Sequence, residues 1–129
     1  MDYLIDTHAV IWFITDNKSL PSKIKKLIED IENNCFVSIA TFWEIAIKKS
    51  LGRLDLGAEL EVIFKLIEQS GFEILPITIN HILENSSLEH HHHDPFDRLM
   101  IAQAKCENLK IVTKDQFFGS YNVSLVWKK

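Results

Sequence analysis

The sequence predicts an α/β fold: a mostly parallel sheet of four to five strands with helices on both faces. Short β-rich apolar runs alternate with longer segments of helical apolar spacing, and crossovers of that length join parallel neighbours. Right-handed crossovers then distribute the helices over both faces of the sheet. The length, 129 residues with 47% apolar composition, suits one core, so residues 1–129 read as a single domain.

The elements follow in order. Residues 3–5, "YLI", form a short first strand, and residues 7–14 a helix that is apolar almost all round and so buried. "LPSKIKKLIEDIENN" carries Pro21 near a helix start and Ile24, Leu27, Ile28 and Ile31 at the spacing of one helical face. "CFVS" is the second strand. "IATFWEIAIKKSLG" is a helix stopping at Gly52, and "AELEVIFKLIEQSG" a helix stopping at Gly71. "FEILPI" is a third strand, "TINHILENSS" a short helix, "PFDRLMIAQAKCEN" a helix from Pro95, "KIVT" a fourth strand and "SLVW" a weak fifth.

Several classes are disfavoured. The longest apolar run, residues 9–14, is far short of the roughly 20 residues of a membrane span. The start, "MDYLIDTHAV", lacks the basic segment and apolar core of a signal peptide. Cys35 and Cys106 form no CxxC pair and lie in apolar surroundings, so both read as reduced core residues of a cytoplasmic protein. A formal charge of −4 argues against plain electrostatic binding of nucleic acid. It leaves room for a nucleic-acid enzyme whose acids gather around divalent cations.

In open α/β sheets, ligands bind beyond the carboxyl ends of the strands. Asp6 follows the first strand there and Asp115 the fourth. Glu44 lies in the helix after the second strand, within the apolar "FWEIAI", and Asp94 and Asp97 open the helix before the fourth. Four segments thus bring carboxylates to one edge. Such a cluster calls for a countercharge, and hard cations such as Mg²⁺ or Mn²⁺ match oxygen ligands. Each acid also has a plain structural explanation. Asp94, Pro95 and Asp97 match an N-cap, N1 and N3. Glu44 and Lys48 stand at the i, i+4 spacing of a surface ion pair. Asp6 can cap the first helix, and Asp115 can start a turn. Ser38 and Thr113 end the second and fourth strands, where their hydroxyls either orient carboxylates or serve as cap and turn. Arg98, Lys48, Lys49, Arg53 and Lys114 lie near the acids in sequence, as phosphate-binding groups or as solvated charge.

"LEHHHHDPFDRLMIAQA" begins like a purification tag, but it lies inside the chain and runs into a helix. The histidines at 90–93 therefore read as a native loop approaching the acids. His93 and its neighbours are candidates to touch substrate or metal.

"YLIDTHAVIW", "VSIATFWEIAIKKSLGRL", "HHHHDPFDRLMIAQA" and "IVTKD" stand in the order and spacing of PIN-domain proteins. The chain resembles most the VapC toxins of type II toxin–antitoxin systems, over nearly its whole length. The resemblance implies a three-layer α/β/α sandwich and an endoribonuclease dependent on Mg²⁺ or Mn²⁺. It places the family's acids on Asp6, Glu44, Asp97 and Asp115, with Asp94 an extra acid in an outer or capping role. It further implies a homodimer and a cognate antitoxin that blocks the site. Alternatives are a nuclease or phosphatase for another phosphoester and a non-catalytic regulatory binding module. A haloacid-type phosphatase needs Asp-x-Asp after the first strand, which "IDTHAV" lacks.

Overall fold

The computed structural model describes residues 1–89, 94–115, 118 and 125–127. The histidine run at 90–93 lies outside the described residues. In chain order the elements are β1 (Asp2–Ile5), α1 (Thr7–Ile14), α2 (Ser22–Glu29), β2 (Asn34–Ser38), α3 (Ile39–Ser50), α4 (Leu60–Gln69), β3 (Glu73–Leu75), α5 (Ile79–Ser87), α6 (Pro95–Glu107), β4 (Lys110–Val112) and β5 (Leu125–Val126). The sheet order is β3-β2-β1-β4-β5, and every neighbouring pair is parallel. The expected three-layer α/β/α architecture is the one formed.

Alternation along the strands builds two cores. Tyr3, Ile5, Cys35, Val37 and Val112 point to one face and pack with Val10 of α1, Ile24 of α2 and Ile63 and Ile67 of α4. Leu4, Leu75 and Ile111 point to the other, against Met100, Ile101 and Ala104 of α6. Strands apolar on both faces have to be covered twice, which is why they read as continuous apolar runs. Full burial of side chains such as Leu4 and Ile111 contributes about 1.5–3 kcal/mol each.

Register sets the site. Ile5 lies opposite Val112, so β1 and β4 end side by side. α3 leaves the end of β2 and crosses this edge, sending Ala40 into one core and Ile45 into the other.

Two expectations are corrected. α2 ends at Glu29, two residues short of Ile31, which is 94% exposed. Asp30 stops the helix: its carboxylate accepts the Glu32 N–H at 2.9 Å, an Asx turn that competes with the next helical turn. Cys35 is buried as expected, but Cys106 is exposed, because the last turn of α6 turns it away from the core. α4 stops near Gly71 as expected, and that residue has φ +90°, a conformation that glycine adopts without strain. None of the described helices is long and apolar enough to cross a membrane.

Candidate active site

Asp6 is the hinge between sheet and helix. Its backbone N–H still donates to Val112 O at 3.1 Å. Its side chain is already the N-cap of α1, with Oδ1 accepting the Ala9 N–H at 2.9 Å. The other oxygen, Oδ2, accepts the Thr113 hydroxyl at 2.5 Å. Thr113 in turn accepts the Asp115 N–H at 3.0 Å. The ends of β1 and β4 are thereby joined through one hydroxyl, and Asp6 is held in a single orientation. Thr113 thus takes both roles open to it, carboxylate orienter and strand-end turn.

Glu44 lies five residues into α3 and is 3% exposed. Its Oε1 accepts the Thr7 hydroxyl at 2.6 Å, and its Oε2 accepts the Lys48 ammonium at 2.6 Å. The i, i+4 pair expected from sequence is present, but its acid is buried rather than on the surface.

Asp94 caps α6, accepting the N–H groups of Phe96 and Asp97 at 2.9 and 3.0 Å. Pro95 stands at N1, and Asp97 in the first turn, where a negative charge suits the helix dipole.

These segments enclose one cavity of about 720 Å³. It is lined by Asp6, Glu44, Asp94, Asp97 and Asp115, with Lys48 and Lys114 among them and His8, Trp12 and Phe118 as an aromatic side. Lys114 stands 6.0 Å from the Trp12 ring centre. Thr7, His8, Trp12 and Phe118 escaped the sequence reading. "DTHAVIW" looks like the start of a buried helix, and only its exit from a strand end marks Thr7 as able to reach an acid.

Burial pushes the Asp6 carboxyl above its ordinary value, against the opposing effect of its Thr113 and Ala9 hydrogen bonds, while the Glu44 charge adds to the rise. Burial works against the Lys48 charge. The Glu44 hydrogen bond and charge, with the charges of Asp94 and Asp97, outweigh it and hold the ammonium above its ordinary range.

The other candidates are placed elsewhere. Ser38 caps α3 through the Ala40 N–H at 3.0 Å and donates to Gln103 Oε1 at 2.5 Å, so its hydroxyl follows the capping alternative. Arg98 donates to the backbone carbonyls of Glu89, Asn85 and Leu88, joining α6 to the end of α5, and does not line the cavity. Lys49 and Arg53 do not line it either. His93 lies outside the described residues.

The donor set fits a hard divalent cation, since it offers carboxylate oxygens, some buried and some reachable. Among the described residues, no three His, Cys, Asp or Glu side chains are grouped to hold an ion as they stand. The acids ring the cavity rather than meet at a point. Mutual repulsion spreads carboxylates, and Lys48 occupies one of the oxygens an ion would use.

The PIN domain family model matches residues 3–122. The fold is similar to that of VapBC2 from Rickettsia felis bound to a DNA fragment from their promoter, with a TM-score of 0.72 and 17% identity over 98% of each chain. It is similar to a toxin–antitoxin complex from Klebsiella pneumoniae, with a TM-score of 0.63 and 19% identity, covering 97% of this chain and 96% of that one. It also resembles the PIN domain endonuclease Utp24, with a TM-score of 0.54 and 14% identity, covering 94% of this chain and 76% of that one. Among curated proteins no match is found.

Proposed function

The chain belongs to the PIN domain family, and from that premise we propose that it is a divalent-metal-dependent endoribonuclease, the toxin of a VapBC-type pair. The observation that carries this reading is the cavity ringed by Asp6, Glu44, Asp94, Asp97 and Asp115 with two lysines on its wall. A cavity of that charge suits a cation and, through it, a phosphodiester.

Asp6, Glu44, Asp97 and Asp115 would hold Mg²⁺ or Mn²⁺. When bound, the ion supplies a water that is nucleophilic at neutral pH and stabilises charge on the phosphoryl oxygens. No side chain has to serve as nucleophile. Asp6 needs no reorganisation, because Ala9 and Thr113 already fix both of its oxygens. Glu44 is aimed by Thr7. Lys114 and Lys48 bind backbone phosphates without reading sequence. Trp12 and His8 offer rings against which an unpaired base can lie, which favours single-stranded RNA. Asp94 serves as the cap that orients Asp97.

The similarity to toxin–antitoxin structures supports an antitoxin partner, and the family resemblance implies a homodimer. α5 adds a physical reason, since Ile79, Ile82 and Leu83 on it are 77%, 52% and 62% exposed. An RNA substrate puts the work of the protein in the cytoplasm.

The test is incubation of a mixed RNA pool and a single-stranded DNA pool with the purified chain in Mn²⁺, in Mg²⁺ and in EDTA. RNA cleavage that EDTA stops is expected. Cleavage of DNA alone would move the substrate to another phosphoester. No cleavage by a folded, metal-loaded chain would turn the protein into a binding module.

A further inference from the structure

We propose that Lys48 is the resident countercharge of the acid cavity and competes with the divalent cation for Glu44. This inference rests on the metal-dependent reading above and concerns what the cation must displace.

The geometry starts with spacing. Residues i and i+4 share a helix face, so Lys48 lies one turn beyond Glu44 on the side of α3 that lines the cavity. Its ammonium sits 2.6 Å from Glu44 Oε2, with the Glu44 side chain 4% and the Lys48 side chain 36% exposed. An exposed pair of this kind contributes little. Here the acid is buried, and without a partner it would be a buried uncompensated charge.

Lys48 answers more than one acid. The charges of Asp94 and Asp97, at the start of α6, also act on it. One monovalent cation therefore stands between the acids of two helices, in the cavity that a divalent ion would enter. Glu44 has its other oxygen bound to Thr7 at 2.6 Å, so Oε2 is the oxygen left to exchange partners. Lysine suits such an exchange. Its charge is a compact ammonium on a flexible stem, which can withdraw into water when a stronger cation arrives. An alternative role is purely structural, with Lys48 holding Glu44 in the orientation an ion needs. The two roles differ in sign. A competitor's removal tightens metal binding, whereas a positioning group's removal weakens it.

The experiment is calorimetric titration of Mn²⁺ into the full chain as wild type, Lys48→Met, Lys48→Gln and Lys48→Arg, with melting curves in EDTA. Lys48→Gln keeps a donor for Glu44 without the charge, so it guards against loss of the fold. Competition predicts Mn²⁺ affinity raised about tenfold in Lys48→Met and Lys48→Gln, within the usual range of coupling between sites. Lys48→Arg should stay within about twofold of wild type, because its charge is kept. In EDTA the neutral variants should melt lower than wild type, and in saturating Mn²⁺ the gap should close. Wild-type binding with unchanged or weakened affinity in both neutral variants overturns the inference and leaves the metal reading standing. Absence of Mn²⁺ binding in wild type and variants alike overturns the metal reading, and this inference with it.

Discussion

Ser38 at the end of β2 and Asp6 at the end of β1 sit one strand apart on the same sheet edge, and each begins a buried polar cluster of a different kind. From Ser38 the hydrogen bonds run through Gln103, whose amide nitrogen donates to Pro76 O at 3.2 Å and approaches His81 Nδ1 at 3.5 Å. His81 Nδ1 accepts the Thr78 N–H at 3.1 Å, which leaves the proton on Nε2 to donate to Glu107 at 2.8 Å. The chain is uncharged until it reaches Glu107, which is 44% exposed. The buried side chains of this cluster, Ser38, Gln103 and His81, find their partners within the protein. From Asp6 the cluster runs the other way, into a ring of carboxylates with two lysines among them. Polar burial that serves the fold closes on itself. Polar burial that leaves like charges gathered around a cavity marks a place for something from outside.

The largest effect that tests this contrast is loss of catalysis without loss of fold. Asp97→Asn should lower RNA cleavage on the order of 10²–10³-fold, the scale of removing one group that stabilises developing charge. Its melting temperature in EDTA should move little, since asparagine keeps the backbone N–H that the Asp94 cap receives. Cleavage at the wild-type rate, with contaminating nuclease excluded, would remove Asp97 from the site.

The closed cluster should fail in the opposite sense. Gln103→Leu leaves the buried Ser38 hydroxyl proton without its acceptor and takes the amide donor from the Pro76 carbonyl. We expect a stability loss of about 1–3 kcal/mol by urea titration. Cleavage measured below the transition should persist. Should Gln103→Leu abolish Mn²⁺ binding while still folded, the two clusters are not separate in the way described.

A third test reads charge through pH. The folded Asp6 carboxyl lies above its ordinary value of 3.8, chiefly through burial. A raised folded value means that the fold disfavours the ionised form. In EDTA, the penalty is therefore absent below about the ordinary value, grows as pH rises through the folded value, and stays in full above it. Asp6→Asn removes it. Asparagine caps helices as well as aspartate does, and Thr113 can accept from its amide as readily as it donates to the acid. The variant should melt higher than wild type at neutral pH without metal, and the advantage should vanish in acid. A lower melting temperature at pH 7 would make Asp6 a structural cap.

How far the sequence spoke differs between the two clusters. The parallel sheet follows from alternation of β and α segments, and the acids are legible because Asp6 and Asp115 directly follow apolar strands. Glu44 stands out as an acid in an apolar helix. The closed cluster was not legible: Ser38 and Gln103 are 65 residues apart, and nothing local to either names the other. Thr7 was hidden for the same reason, its partner Glu44 lying 37 residues on. Arg98 looked like a phosphate ligand from its place beside Asp97, yet it serves three backbone carbonyls at the end of α5. Ile31 obeyed the helical spacing but lost to the turn made by Asp30. Periodicity records which face would be buried, not where a side-chain hydrogen bond ends the helix.

Asp94 combines a structural role with a place in the acid cavity, and the smallest predicted effect comes from it. It is a cap, accepting two backbone N–H groups of α6, and it lines the acid cavity near Lys48. Two substitutions separate these roles. Asp94→Ala removes cap and charge together and should cost about 0.5–2 kcal/mol. Asp94→Asn keeps the cap, since asparagine and aspartate are nearly equivalent there, and should change stability by less than about 0.5 kcal/mol. If Asp94 acts only through the helix start, Asp94→Asn should cleave RNA within a few-fold of wild type, and Asp94→Ala should do so at low temperature where it remains folded. Cleavage assays beside urea titrations decide the matter. A collapse of cleavage in Asp94→Asn equal to that in Asp97→Asn would show that its charge, not its cap, is needed. The acid set would then comprise all five carboxylates on the cavity wall.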